Sequence, residues 1–150
     1  MRLRVMASML IAVVGLLGPM GLAPASARTC TITGTSASEN INGTFGHDVI
    51  CARAGSDRVV ARGGKDVVLG GRGDDLLYGK GGGDLLRAGK GADTLVGGKQ
   101  HDRLRGGAGN DVIDAADGAV GDAARGGPGF DICYVDAGDR HPGCERTVTV

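Results

Sequence analysis

The sequence has few of the side chains that fill a globular core. Tryptophan is absent from its 150 residues, and the aromatics are limited to Phe45, Phe130, Tyr78 and Tyr134. Proline occurs four times, against 30 glycines. Such a glycine excess points to collagen, disorder or a glycine-rich repeat. Collagen requires glycine at every third position and abundant proline. Neither is present, so the triple helix is excluded. An excess of one charge is missing too, because 17 Lys+Arg balance 17 Asp+Glu. Near neutrality gives no pointer to nucleic acid or to a membrane surface.

Long apolar runs are confined to the beginning. Arg2 and Arg4 precede an apolar stretch from Val5 to Leu22, interrupted by Gly15, Gly18 and Pro19. Ala25-Ser26-Ala27 then supplies small residues for cleavage. This is the layout of a secretory signal peptide over residues 1–27. A membrane anchor would need about 20 uninterrupted apolar residues. Arg28 and Thr29 before Cys30 do not give a lipid-attachment context. The mature chain is therefore expected to be secreted, without membrane insertion. Loss of Arg2 and Arg4 leaves 15 Lys+Arg against 17 Asp+Glu, a net charge of −2. All four cysteines, Cys30, Cys51, Cys133 and Cys144, lie in the mature part. An even number in an exported chain favours disulfides. Three pairings are open, and the local pairs Cys30–Cys51 and Cys133–Cys144 would each close one end of the chain. A zinc site is the rival reading, and it lacks any Cys-x-x-Cys pair.

What the sequence does have is a period of nine. Aspartate stands at Asp48, Asp57, Asp66, Asp75, Asp84, Asp93, Asp102 and Asp111 without a gap, and Glu39 takes the preceding slot. Two residues after each acid comes an aliphatic side chain, from Ile41 and Ile50 to Leu104 and Ile113. Two residues before each aspartate comes glycine, except at Gln100. After Asp111 the register slips by two residues, and Asp122 and Asp131 resume the step. The segment from Asp117 to Gly121 reads as a bulge, and residues 126–131 as a further copy.

The cleanest copies begin at Gly70-Gly71-Arg72-Gly73-Asp74-Asp75 and Gly106-Gly107-Ala108-Gly109-Asn110-Asp111. Calcium is a hard cation that takes six to eight oxygens from carboxylates and backbone carbonyls. Glycine admits positive φ, so successive carbonyls can turn toward one point. An aspartate at the end of the turn adds a charged oxygen. Positions 1–6 of each repeat then read as a ligand turn, and positions 7–9 as a short strand with its middle side chain inward. Aspartates without a cation would repel one another at this spacing.

On these residues the chain resembles the RTX, or haemolysin-type, calcium-binding family, whose repeat is Gly-Gly-x-Gly-x-Asp-x-aliphatic-x. The resemblance covers residues 43–114 well, and 34–42 and 126–134 loosely. It implies an all-β fold, a right-handed parallel β-roll (β-solenoid) with 18 residues per coil, and the two local disulfides expected from the cysteine count would pin its end caps. It also implies calcium between each turn and the turn one coil later. Asp48, Asp66, Asp84 and Asp102 would then line one edge, and Asp57, Asp75, Asp93 and Asp111 the other. Backbone oxygens would come from Gly70, Gly71, Gly73, Gly89, Gly91, Gly106, Gly107 and Gly109. Four turns per edge leave three gaps, so about six sites at most. Residues 28–42 form an N-terminal cap in this reading, 43–114 the array, and 115–150 irregular closing repeats and a C-terminal cap.

Departures from the pattern make the edges unequal. Arg53, Arg62 and Lys80 replace the second glycine, Lys65 precedes Asp66, and Gln100 replaces a turn glycine. The edge with Asp75, Asp93 and Asp111 is expected to be the more intact. One inward aliphatic residue per nine is a thin core, so calcium should supply much of the folding free energy.

No serine, cysteine or carboxylate pair is arranged for nucleophilic catalysis, so an enzyme is not expected. His47 and His101 fall in the slot before aspartate and read as exposed turn residues, and His141 lies in the tail. One outer face begins apolar at Val49, Val67, Leu69 and Leu85 and ends basic at Arg87, Arg103 and Arg105. The apolar end is expected to meet the N-terminal cap or a second copy in self-association. The basic end is expected to meet an anionic cell-envelope polymer rather than nucleic acid. The function expected is an extracellular structural or adhesive calcium-binding module. The alternative is an accessory or regulatory component of a secreted toxin or exoenzyme system.

Overall fold

The computed structural model describes residues 29–150, so the expected signal peptide lies outside the described residues. After each aspartate the chain alternates outward and inward, as extended backbone does. In Leu85–Lys90, Leu86 and Ala88 are buried while Arg87 is exposed. This alternation persists for six residues, which makes the strands twice as long as the three residues expected. Positions 7–9 of one repeat run on through positions 1–3 of the next. The turn shrinks to positions 4–6, such as Gly73-Asp74-Asp75.

The described residues form 13 strands, no helix, and two parallel sheets. One sheet contains β1 (Ile32–Thr33), β3 (Val49–Ala54), β5 (Val67–Arg72), β7 (Leu85–Lys90), β9 (Arg103–Ala108) and β11 (Ala123–Arg125). The other contains β2 (Asn40–Asn42), β4 (Arg58–Gly63), β6 (Leu76–Gly81), β8 (Thr94–Lys99), β10 (Val112–Asp114), β12 (Ile132–Val135) and β13 (Arg146–Thr149). Consecutive strands alternate between sheets, so the chain winds as a β-solenoid. Register partners are 18 residues apart, as in Val68↔Leu86 and Leu77↔Leu95. At the closing end the step widens to 20, as in Leu104↔Ala124 and Ile113↔Cys133. The two extra residues are absorbed in the stretch between β10 and β11.

The core lies between the sheets as stacked columns. Ile50, Val68, Leu86 and Leu104 descend from one sheet, and Val59, Leu77, Leu95 and Ile113 from the other. The longer strands add a second inward position that the sequence reading missed. It holds alanine or glycine, for example Ala52, Ala61 and Ala88, until the last coil, where Val135 fills it. The core is thus thin at its middle and thinner at its margins.

The ends are closed covalently by the two local disulfides, Cys30–Cys51 and Cys133–Cys144, each with Cα atoms 5.9 Å apart. They differ in placement. Cys51 is on the outer side of β3, so the first bridge fastens the N-terminal segment over the sheet. Cys133 occupies the inward aliphatic slot of β12, fully buried, and Cys144 packs against the core from above. Each closed loop is worth about 3 kcal/mol in chain entropy.

Leu86 is fully buried at mid-stack, with strands paired on both sides. Leu86→Ala should destabilise the calcium-loaded protein by about 2–5 kcal/mol. Thermal unfolding at fixed calcium measures this, and an unchanged midpoint would show that the aliphatic columns are not the core.

Candidate metal centre along the two edges

Each turn aspartate is fixed by its neighbour in the adjacent coil. The backbone N–H of Asp57 donates to Asp75 Oδ1 at 2.9 Å, that of Asp75 to Asp93 Oδ1 at 2.7 Å, and that of Asp93 to Asp111 Oδ1 at 3.0 Å. On the other edge Asp48, Asp66 and Asp84 donate to Asp66, Asp84 and Asp102 at 2.8, 2.8 and 2.7 Å. The aspartate carbonyls then accept from the residue that starts the next coil's strand, as in Leu76 N–H to Asp57 O at 2.8 Å. The structure thus brings the eight aspartates together as two columns of four, one per edge.

The second carboxylate oxygen is left over. Oδ2 of Asp57, Asp66, Asp75, Asp84, Asp93, Asp102 and Asp111 is buried and has no hydrogen-bond partner. Each lies beside the small residue that opens its own repeat. A Cβ on Gly79 or Gly97 would stand 2.5 Å from Oδ2 of Asp84 or Asp102. The first glycine therefore makes room for a carboxylate oxygen. The turn glycines play a different part. Gly64 has φ +119°, and a Cβ there would lie 2.6 Å from the carbonyl oxygen of Gly46 in the preceding coil. Turn carbonyls therefore point along the stack toward the next turn.

Among the described residues, no three His, Cys, Asp or Glu side chains converge on one point. A cation on these edges has to draw on backbone carbonyls as well as on one carboxylate from each turn. That donor set is all oxygen and part anionic, which suits a hard divalent cation such as calcium. The family model of the RTX calcium-binding nonapeptide repeat (4 copies) matches residues 33–68, 52–86 and 87–119. The chain belongs to this family. Its repeats bind calcium, and calcium is the cofactor of the array. Neither the curated proteins nor the solved structures compared give a match.

The RTX columns run further than the unbroken series of aspartates. Asp102 N–H donates to Asp122 Oδ1 at 2.8 Å, and Asp111 N–H to Asp131 Oδ1 at 2.9 Å. Oδ2 of Asp122 and Asp131 is likewise buried and unpartnered. The nine-residue step between these two aspartates was the available signal, but the 20-residue coil hid which turns they stack on. The ends are filled by other acids. Glu39 N–H donates to Asp57 Oδ1 at 2.8 Å at the start of one edge. At the finish, Glu145 Oε2 accepts from Asp131 N–H at 2.7 Å, and Asp139 Oδ1 accepts from Asp122 N–H at 3.0 Å. Nothing in the local sequence marks Glu145 or Asp139 for this.

The RTX repeats also tolerate non-glycine residues in glycine geometry, three within strands and Gln100 in a turn. Arg53, Arg62, Lys80 and Gln100 keep positive φ, at 83°, 84°, 81° and 78°. An L-residue in that region costs about 1–2 kcal/mol. Three of the four, Arg62, Lys80 and Gln100, lie on the edge of Asp66, Asp84 and Asp102. His47 and His101 are exposed on that same edge three coils apart, and His47 Nδ1 meets the Lys65 carbonyl.

Burial raises the carboxyl pKa of Asp66, Asp75, Asp84, Asp93, Asp102, Asp111 and Asp122, offset in part by the backbone hydrogen bond and reinforced by neighbouring carboxylates. Asp75 and Asp84 rise to about 6, and Asp93 and Asp102 to about 7. A folded-state pKa above the ordinary 3.8 means that folding disfavours the ionised form. In the absence of calcium the fold is then best supported below about pH 4, where the carboxyls are neutral in both states. That support is lost as pH rises through 6 to 7. Protein dialysed free of calcium should gain β-structure on acidification from pH 8 to pH 4, read by circular dichroism. Calcium affinity should fall over the same acidification, because protons compete with the ion for the carboxylates. A calcium-free β signal that grows with pH would contradict the buried columns.

Proposed function

We propose that the protein is exported by the signal peptide at residues 1–27 and takes up calcium outside the cell. There it folds into a structural or adhesive module. The observation that carries this reading is the double column of buried, unpartnered Oδ2 atoms. Ionised carboxylates in that position need a cation, and millimolar calcium is available outside the cell. Family membership and two disulfides fit the same oxidising compartment.

The ligands we assign are Asp48, Asp57, Asp66, Asp75, Asp84, Asp93, Asp102 and Asp111, with backbone oxygens of Gly70, Gly71, Gly73, Gly89, Gly91, Gly106, Gly107 and Gly109. Asp122 and Asp131 join them because their Oδ2 atoms share the same burial and the same lack of a partner. Residues 28–42 and 115–150 act as caps. The sites are unequal. Between Asp75 and Asp111 every second and fourth repeat position is glycine, whereas the opposite edge carries Arg62, Lys65, Lys80 and Gln100. Cationic side chains beside a cation site weaken it.

Calorimetric titration with calcium tests the reading. Binding should fall in the range of about 10⁻⁴–10⁻³ M typical of extracellular modules, accompanied by the heat of folding. Asp93→Asn should lower the affinity more than Asp66→Asn, and Asp131→Asn should reduce the number of ions bound. Submicromolar binding without a folding signal would overturn the proposal, because such an array would already be filled before export.

A further inference from the structure

Sheet and edge segregate the charges of this chain. Eleven aspartates are buried, all of them in the edge columns. The balance of 17 against 17 in the sequence therefore does not describe the surface, which keeps its lysines and arginines but few acids. The cations are not spread evenly. On the outer face of the sheet containing β7, β9 and β11, Arg87, Arg105 and Arg125 are direct register partners in three successive strands. Arg103 stands two residues along β9, and Arg140 pairs by a bridge with Ala123 beside it. All five arginines are exposed, and among the described residues no acid occupies an outward position of these strands.

Like charges in direct register across a sheet are unfavourable. Nothing in the fold requires them here, since the equivalent outward positions of β5 are Val67 and Leu69. The side chains are all arginine, whose planar fork grips carboxylate and sulfate oxygens in pairs. Adjacent members of the column are about 4.8 Å apart, and the column runs along the solenoid axis. A flat, straight row of forks complements an extended polymer with an anionic group on each unit.

We propose that this arginine face binds a linear anionic polysaccharide, laid along the solenoid axis across β7, β9 and β11. The inference names the partner of the adhesive module described above and rests on that reading. Nucleic acid suits the face less well. It has no aromatic platform for bases, because Tyr78 and Tyr134 belong to the other sheet, and it has no protruding element to enter a groove.

The test uses heparin as the probe, with uncharged dextran and duplex DNA as the other arms, all at the same free calcium. Circular dichroism of each sample reports folding separately, so a folded protein that fails to bind removes this proposal and leaves the calcium reading intact. Heparin should bind and dextran should not, and affinity should fall by about a hundredfold between 50 and 200 mM salt. Arg87→Ser/Arg105→Ser/Arg125→Ser should weaken binding by about tenfold or more. Arg105→Ser alone gives a smaller loss in the same direction and guards against a triple variant that does not fold. Arg58→Ser/Arg146→Ser, on the other sheet, should bind as the unaltered protein does. Heparin binding that is absent, or indifferent to the three arginines, overturns the proposal. So does duplex DNA binding equally well through the same residues.

Discussion

Each turn aspartate has two oxygens with different tasks, and the rest of the molecule depends on both being satisfied. Oδ1 accepts the backbone N–H of the aspartate one coil away and so sets the stacking of the turns. From Asp57 to Asp131 Oδ2 is turned into the structure, buried and without a donor, whereas at Asp48, the first of its column, it accepts from the N–H and the hydroxyl of Thr44. The first interaction brings the carboxylates into columns, and the second makes those columns untenable as bare anions. A divalent cation resolves the conflict, because it neutralises the charge at the place where the fold has removed the water.

This constraint explains the shape of the core. The small inward residue at the start of each repeat leaves room for Oδ2, so the interior cannot widen there and keeps one large aliphatic side chain per turn. The turn carbonyls approach the next coil too closely for a Cβ at most turn positions, so glycine is needed for space as well as for φ. Where arginine, lysine or glutamine replaces it, the backbone keeps the same sign of φ and carries the strain. The capping acids Glu39, Asp139 and Glu145 finish the ladder, and the disulfides close the ends. Withdrawing the acids to the edges leaves the outer face of one sheet free to carry an arginine row.

Much of this was legible in the sequence. The nine-residue series from Asp48 to Asp111, the aliphatic residue two positions later and the local cysteine pairs led to a calcium-binding β-solenoid with pinned ends. Three features were not legible. The strands are six residues long because alanine and glycine at the first position face inward, and small residues leave no hydrophobic signature. Asp122 and Asp131 stack on Asp102 and Asp111 through 20-residue coils, which a search at one fixed period breaks apart. Glu145 reaches Asp131 from a tail with no periodicity, so only the folded chain brings them together. The net charge was misleading for a related reason, since composition cannot tell a buried aspartate from an exposed one.

The central claim is that calcium holds the fold by neutralising buried carboxylates. The most direct measurement is the far-ultraviolet circular dichroism of the protein at neutral pH, with disulfides intact, recorded without calcium and then with millimolar calcium restored. The account predicts a largely disordered spectrum that converts to β-structure on adding calcium and reverts on its removal. A full β spectrum in the absence of calcium, unchanged when the ion is restored, would contradict it.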